Sequence, residues 1–424
     1  MKFTRYQMFV VAVLAFLQFT VVLDFMILSP LGAILLPKLH VATSKFGLIV
    51  SAYAFSAGLS GLLTAGFADR FDRKKLLLFF YTGFIIGTTL CGIADTYRFL
   101  LAARIVTGLF GGVIGSIVMA ITADLFPLEM RGRVMGVVQT AFASSQVLGL
   151  PVGLALCNQW GWHAPFLMIA GIGAVAGGFI AFGLKPIDAH LKVKNDRNAF
   201  VHLLKTLSKR TYISGFAATI MLATGGYMLL PFGSTFSVNN LGISMERLPL
   251  LYLVTGLCSI IAGPLVGRLS DSIGKYRIFV IGTALATAMV LIWCNLGVTP
   301  FWAVITVSVL MFLGISARMV SVSALISAVP DIKDRGAFMS IYSSLQQFAG
   351  GFASALAGLI VVQNSSGKLE HYGTLGNVVV GAMLVTLVLM YSIHKIVREK
   401  TNVARAVVGQ AEPVPVVASA TFSE

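Results

Sequence analysis

The chain is 424 residues long, 57% hydrophobic and only 11% charged, with a mean hydropathy of +0.89. A soluble globular protein carries about 25% charged residues, so this composition excludes one, and it excludes collagenous, disordered and disulfide-scaffold classes for the same reason. The formal net charge of +15 invites comparison with nucleic-acid binders, but the placement of the basic residues argues for a polytopic membrane protein that binds no nucleic acid.

A helix needs roughly 20 apolar residues to cross the hydrocarbon core. Twelve such stretches follow in chain order: 7–36, 47–68, 76–94, 99–123, 134–157, 164–184, 212–236, 248–267, 278–296, 300–329, 337–362 and 374–393. They lack the alternation of barrel strands, and the first is too long for a signal-peptide core. With both termini placed in the cytoplasm, the inner segments hold 24 of the 31 Lys and Arg residues and the outer loops five. That asymmetry satisfies the positive-inside rule, and anionic inner-leaflet lipid is the expected partner of the basic loops.

The stretches group as six and six. Residues 1–184 form an N-terminal bundle and 211–397 a C-terminal one, with a cytoplasmic linker at 185–210 and a disordered tail expected over 398–424. The linker carries seven basic residues and a short amphipathic surface helix through Phe200, Leu203, Leu204 and Leu207. The halves share landmarks. Asp69 in GFADRFDRKK and Asp271 in GRLSDSIGKYR are 202 residues apart, and Pro127 and Pro330, opening PLEMRGR and PDIKDRG, are 203 apart. Parallel repeats of this kind place a transport site between the halves at mid-membrane.

Cys91, Cys157, Cys258 and Cys294 each stand alone in an apolar stretch, with no metal-ligand spacing and no disulfide framework. No metal site is expected. Only Asp24, Arg104 and Arg318 place charge inside the spans, where a charged group costs at least about 2.5–3.5 kcal/mol and usually faces a cavity or partner. If the first helix breaks near Pro30, Asp24 and Arg104 lie at the same depth, about 8–9 Å below the external boundary. Burial disfavours the charged carboxylate and a neighbouring arginine favours it, so Asp24 can carry a proton; alternatively the two form a structural ion pair. Arg318 either binds an anionic group or snorkels to the cytoplasmic edge.

Glycines recur four apart at Gly108/Gly112, Gly111/Gly115, Gly149/Gly153 and Gly173/Gly177, which permits close helix approach. Gly149 and Gly153 flank Pro151, whose missing N–H kinks a helix, and Gly225-Gly226-Tyr227 before Pro231 marks a second bend. The cavity wall is expected to draw on Phe25, Tyr53, Met119, Gln139, Gln146, Tyr227, Phe232, Tyr252, Arg318, Tyr342 and Gln346, an adaptable aromatic and thioether lining. Singly, each of these residues is more often packing or lipid contact than ligand.

The two loop motifs resemble the major facilitator superfamily over residues 5–397, and within it the 12-helix drug:proton antiporter and sugar-efflux group. The family's loop pattern G-x-L-x-D-R-x-G-R-[RK] is kept through Gly267, Leu269, Asp271, Gly274, Lys275 and Arg277. In the first copy Asp69, Arg70, Arg73 and Lys74 match, while Asp72 replaces a glycine. R-x-x-x-G appears as Arg104 and Gly108, and the antiporter motif survives only as Gly149-Leu150-Pro151-Val152-Gly153. The resemblance implies an all-α membrane fold of two pseudo-symmetric six-helix bundles with cytoplasmic termini.

It also implies proton-coupled efflux of a small organic solute, with Asp24 as proton carrier and Arg104 as its tuner. A cytoplasmic latch follows from it, formed by Asp69, Arg70, Arg73 and Asp124 toward the start of the eleventh helix near Asp334, and by Asp271, Gly274 and Arg277 toward Arg131 and Gly132. No cofactor beyond the proton is implied. The expected state is a monomer in a bacterial inner membrane. A symporter or uniporter for a sugar, carboxylate or other anion remains open, as does a solute-sensing receptor; no cluster suggests an enzyme, and no phosphate-loop lysine is present.

Overall fold

Thr4 opens the first helix with a capping box, its hydroxyl accepting from Gln7 N while Gln7 Oε1 accepts from the Thr4 N–H. The computed structural model describes residues 3–64, 71–188, 191, 199–331 and 334–410. Helix α1 (Arg5–Ile27) stops before a turn around Pro30, and the chain resumes as α2 (Gly32–Lys38). Proline lacks an N–H and restricts the residue before it, so the first span breaks where its sequence suggested. The N-terminal bundle continues with α3 (Thr43–Thr64), α4 (Arg73–Gly92), α5 (Tyr97–Leu125), α6 (Leu128–Ser144), a π turn at Ser145–Gly149, α7 (Leu150–Trp160) and α8 (Ala164–Gly183).

A short helix α9 (Ala199–Leu207) lies in the linker, as its amphipathic pattern predicts. It buries Leu203 and leaves Leu204 and Leu207 exposed. The second bundle comprises α10 (Arg210–Tyr227), a 3-10 turn at Leu230–Phe232, α11 (Gly233–Asn239), α12 (Leu248–Ile273), α13 (Lys275–Cys294), α14 (Phe301–Ile326) and α15 (Arg335–Ile360). A two-residue hairpin, β1 (Val362–Gln363) against β2 (Leu369–Glu370), then precedes α16 (Tyr372–Gln410).

Among the described residues, ten segments are long and apolar enough to cross a membrane. The two remaining members of the expected dozen are the fifth, divided by its π turn, and α15, whose Ser343, Ser344, Gln346 and Gln347 lower its hydropathy. One expectation needs correcting. The final helix does not end near 397 but runs to Gln410, because Arg398, Glu399, Lys400, Ala404, Arg405 and Ala406 are strong helix formers and the next proline is Pro413. Residues 411–424 lie outside the described residues.

The apolar cores show which end of the molecule is closed. On the side bearing the basic loops, each half has its own core: one built on Leu14, Tyr81, Phe84 and Ile117, the other on Tyr212, Phe216, Phe279 and Phe338. At the opposite side a single core runs through both halves, joining Phe46, Leu100 and Phe166 to Phe232, Phe236, Val290 and Tyr372. All four side-chain hydrogen bonds that join the halves between described residues lie there too: Ser29 to the Leu230 carbonyl, Ser234 to the Ser29 carbonyl, Thr43 to the Val361 carbonyl and Asn158 to the Met245 carbonyl. The two bundles are therefore clamped at the side opposite the basic loops.

The long contact between α3 and α15 depends on missing side chains. A Cβ on Gly47 would sit 2.7 Å from the Ser354 carbonyl, and one on Gly358 2.9 Å from the Thr43 carbonyl. Phe55 and Phe352 meet edge-to-face at 4.8 Å further along.

Candidate functional site

Three helices of the N-terminal bundle converge on Asp24. Arg104 of α5 donates from Nη1 to Asp24 Oδ2 at 2.8 Å and to the Asp24 carbonyl at 3.3 Å, and Thr88 of α4 donates to Oδ1 at 3.1 Å. Both charges are shut off from solvent, Asp24 being 0% and Arg104 1% exposed. The expected pairing at a common depth is thus realised. Thr88 was not singled out by sequence, because a threonine carries no signal until the crossing of α4 over α1 is known. Beneath the guanidinium, Tyr53 of α3 presents its ring 4.5 Å from Cζ, a cation–π contact.

The pair is wired to the facing half through aromatic rings. Tyr53 meets Phe25 at 5.3 Å, and Phe25 meets Tyr227 of the C-terminal bundle edge-to-face at 5.8 Å. Tyr227 lies at the end of α10, and a Cβ on Gly350 of α15 would come within 3.0 Å of its ring. So of the expected cavity residues, Phe25, Tyr53 and Tyr227 form one cluster, next to Asp24 and across the bundle boundary.

The expected bend in the fifth span is also beside Asp24. Pro151 cannot donate a backbone hydrogen bond, and the helix widens into the π turn just before it. Ser145, the first residue of the turn, donates to the Phe19 carbonyl of α1 and to the Ala141 carbonyl. A Cβ at Gly149 would strike Leu23 at 2.5 Å and one at Gly153 would strike Ile27 at 2.5 Å, residues on either side of Asp24. On its other flank the turn touches α12 of the facing half, where Gly256 leaves room for Val147.

Other expected cavity residues scatter. Phe232 is fully buried against Phe46 in the clamped side, rings 5.9 Å apart. Tyr252 packs half-buried against the shared core, and Tyr342 against the C-terminal core at the basic side. Met119 is exposed and Gln346 half-buried, while the Gln139 and Gln146 side chains lie outside the described residues. Arg318 does not snorkel: it is 3% exposed, with its Cζ 5.8 Å from the Phe279 ring. Among the described residues no group of His, Cys, Asp or Glu is arranged to hold a metal.

The sequence profile of the Major Facilitator Superfamily matches residues 14–254 and 215–420, nearly the whole chain. The chain belongs to the major facilitator superfamily. It is similar to the uncharacterized MFS-type transporter YceJ of Bacillus subtilis, 26% identical over 275 residues that cover 64% of this chain and 69% of that one. It is also similar to Multidrug resistance protein 3 of the same organism, 32% identical over 163 residues, but these span 38% of this chain and 32% of that protein. Among solved structures, a bacterial homolog of the human lysosomal transporter Spinster, inward-facing and occupied, superimposes with a TM-score of 0.70 at 14% identity, covering 95% of this chain and 98% of that one. A point mutant of the nucleoside transporter NupG gives a TM-score of 0.72 at 13% identity, covering 91% of this chain and 98% of that one. These likenesses show the fold, and the facilitator is a multi-pass membrane transporter rather than an enzyme.

At the basic side of this facilitator the latch residues behave differently in the two halves. Arg73 Nε donates to Asp124 Oδ2 at 3.1 Å, while Asp69 and Arg70 lie outside the described residues. Asp72, where the family usually has glycine, caps α4 by accepting from Lys75 N and also accepts from Ile187 N at 2.7 Å, tying α4 to the chain leaving α8. Asp271 and Arg277 are exposed, with no ion pair between described residues. The expected partner Arg131 donates instead to the Phe126 and Ala123 carbonyls. Gly274 links α12 to α13 at φ +109°, a conformation that side chains disfavour.

A network that the sequence did not reveal joins the start of α10 to the start of α15. Lys209 Nζ donates to Asp331, Asp334 and the Tyr212 hydroxyl at 2.8–3.0 Å, and that hydroxyl donates to Asp334 at 2.9 Å. The hydrogen bond from Lys209 holds the Asp334 carboxyl below its ordinary 3.8, against the opposing effect of burial. A carboxyl depressed by folding contributes stability that is complete above its ordinary value and is lost as pH falls through the folded one. The thermal stability of Asp334→Asn should therefore trail that of wild type by a constant margin above about pH 5 and converge with it below the ordinary 3.8. A margin that does not change with pH would show that the charge of Asp334 is not what stabilises this corner.

Proposed function

We propose that the protein is a proton-coupled exporter of a small organic solute, working by antiport and alternating access. In this reading it is a monomer of a bacterial inner membrane, with its termini and basic loops in the cytoplasm. The loop-charge asymmetry supports that orientation, which makes the clamped side external and the structure inward-facing. The observation that carries the proposal is the fully buried Asp24–Arg104 pair, 2.8 Å long, whose acid is the only one inside the twelve apolar stretches of the sequence.

Charged Asp24 binds Arg104 and Thr88. A proton arriving from outside removes the Coulomb attraction, frees the guanidinium and changes its contact with Tyr53. Phe25 and Tyr227 extend that contact to the other bundle, so protonation biases the closure of the external side. The π turn against Leu23 and Ile27 supplies a bend at the same level. Similarity to Multidrug resistance protein 3 lends support over the third of that protein that is matched.

The test uses inside-out vesicles, acidified within and loaded with a pH-sensitive dye, to which drugs, sugars and organic acids are added in turn. A solute that dissipates the gradient in wild type and leaves it intact in Asp24→Asn supports antiport through Asp24. Equal dissipation by the two proteins rules Asp24 out as the carrier. Solute movement with no proton flux in either would instead support a uniporter.

A further inference from the structure

Among the described residues, Arg318 is a buried cation without a counter-charge. It lies on α14, which is pressed against α13 where two glycines face each other: a Cβ on Gly282 would lie 2.7 Å from Ala317 Cβ, and one on Gly314 2.7 Å from Ala286 N. No carboxylate is within ion-pair distance among the described residues. The composition of the apolar stretches explains why, since Asp24 is the single acid inside the twelve of them and is already bound to Arg104. Of the carboxylates of the C-terminal half, Asp271 stands at the basic end of α12, and Asp331 and Asp334 precede α15.

The atoms left without a partner are specific. Arg318 Nε and Nη2 are both buried and unbonded, and so is Ser321 Oγ, one helical turn further along α14. Nε and Nη2 form the same edge of the guanidinium, which presents two parallel N–H donors in the geometry that matches the two oxygens of a carboxylate. Arg104, by contrast, engages its acid through Nη1. Leaving buried donors unmade is costly, and a buried charge more so. Phe279, with its ring 5.8 Å from Cζ, offers attraction to the cation but accepts no conventional hydrogen bond. Three orphaned donors within one turn of one helix call for an acceptor-rich anion.

We propose that Arg318, assisted by Ser321, is the subsite for the carboxylate of an organic anion, and that the transported solute is an organic acid. This rests on the transporter reading above and specifies its substrate class. The edge is shielded in the present conformation, so the subsite is occluded here and requires the C-terminal bundle to loosen around α14 when solute enters.

The test is equilibrium binding to the full chain in nanodiscs at one fixed pH, with no gradient. The probes are acetate, lactate, benzoate and phenylacetate, each beside its neutral amide, with chloride as a separate titration. At least one acid should bind about tenfold or more tighter than its amide. Arg318→Gln should weaken that acid ~30-fold or more while leaving the amide unchanged, and Arg318→Lys should fall between, keeping the charge but not the fork. The wild-type comparison of acid with amide stands even if a variant fails to fold. No acid outbinding its amide, or an Arg318→Gln protein that binds acid as wild type does, overturns the proposal and leaves water or chloride as the partner. Because no proton gradient is involved, proton flux without acid preference sinks the subsite alone, and acid preference without proton flux sinks antiport alone.

Discussion

Replacing Arg104 with leucine should lower the stability of the folded protein by about 3–5 kcal/mol, the usual cost of removing one partner from a buried ion pair. The magnitude follows from what remains. Asp24 would keep its hydrogen bond from Thr88 at 3.1 Å but no positive charge, in surroundings where it is 0% exposed. The double variant Asp24→Asn/Arg104→Leu should recover much of the loss, because a neutral amide has no charge to desolvate. Unfolding of the two single variants, the double variant and wild type at neutral pH checks this. If Arg104→Leu is as stable as wild type, or the double variant is no better than the single, the pair is not the electrostatic unit described here. The same cycle separates stability from coupling: the double variant should fold yet carry no protons.

The second large effect is expected at the α3–α15 contact. Gly47→Ala places a methyl group 2.7 Å from the Ser354 carbonyl and 3.2 Å from Gly358 Cα. Neither neighbour is a flexible side chain, so the helices themselves must separate. Overpacking of this kind costs about 1–3 kcal/mol, and the strain exists only while the clamped side is closed. The conformational equilibrium should therefore shift about 5- to 150-fold toward opening of that side. Ser234 is fully buried at the closure. In a background without the four natural cysteines, Ser234→Cys should react with an impermeant maleimide that much faster when Gly47→Ala is present. An unchanged labelling rate would mean the strain is absorbed locally rather than by opening the halves.

The latch shows how a motif can be readable while its state is not. Asp271 and Arg277 stand in the second copy of the loop pattern, yet both are exposed, and Arg131 is occupied by carbonyls at the end of α5. The spacing of a motif is the same in every conformation of an alternating transporter. The contacts it makes are not, and here the core shared by both halves lies at the opposite side. Asp72 teaches a related point: it departs from the family pattern, and its carboxylate caps α4 and holds Ile187.

By itself the sequence determined the membrane class, ten of the apolar spans and the break at Pro30, because hydropathy and proline chemistry act along one dimension. It also determined the match of Asp24 with Arg104, since a membrane interior containing one acid leaves few choices. The continuation of α16 to Gln410 went unread because helix formers without periodicity look like a tail until a neighbouring span extends into them. Only the tertiary structure decided that Thr88 completes the carboxylate's bonds, that Tyr53, Phe25 and Tyr227 connect it to the facing bundle, and that Lys209 gathers two aspartates. It alone showed that Arg318 is buried with one edge of its guanidinium unbonded. Each of these depends on where helices cross and how closely glycines let them approach, and crossings bring together residues from spans far apart in the chain.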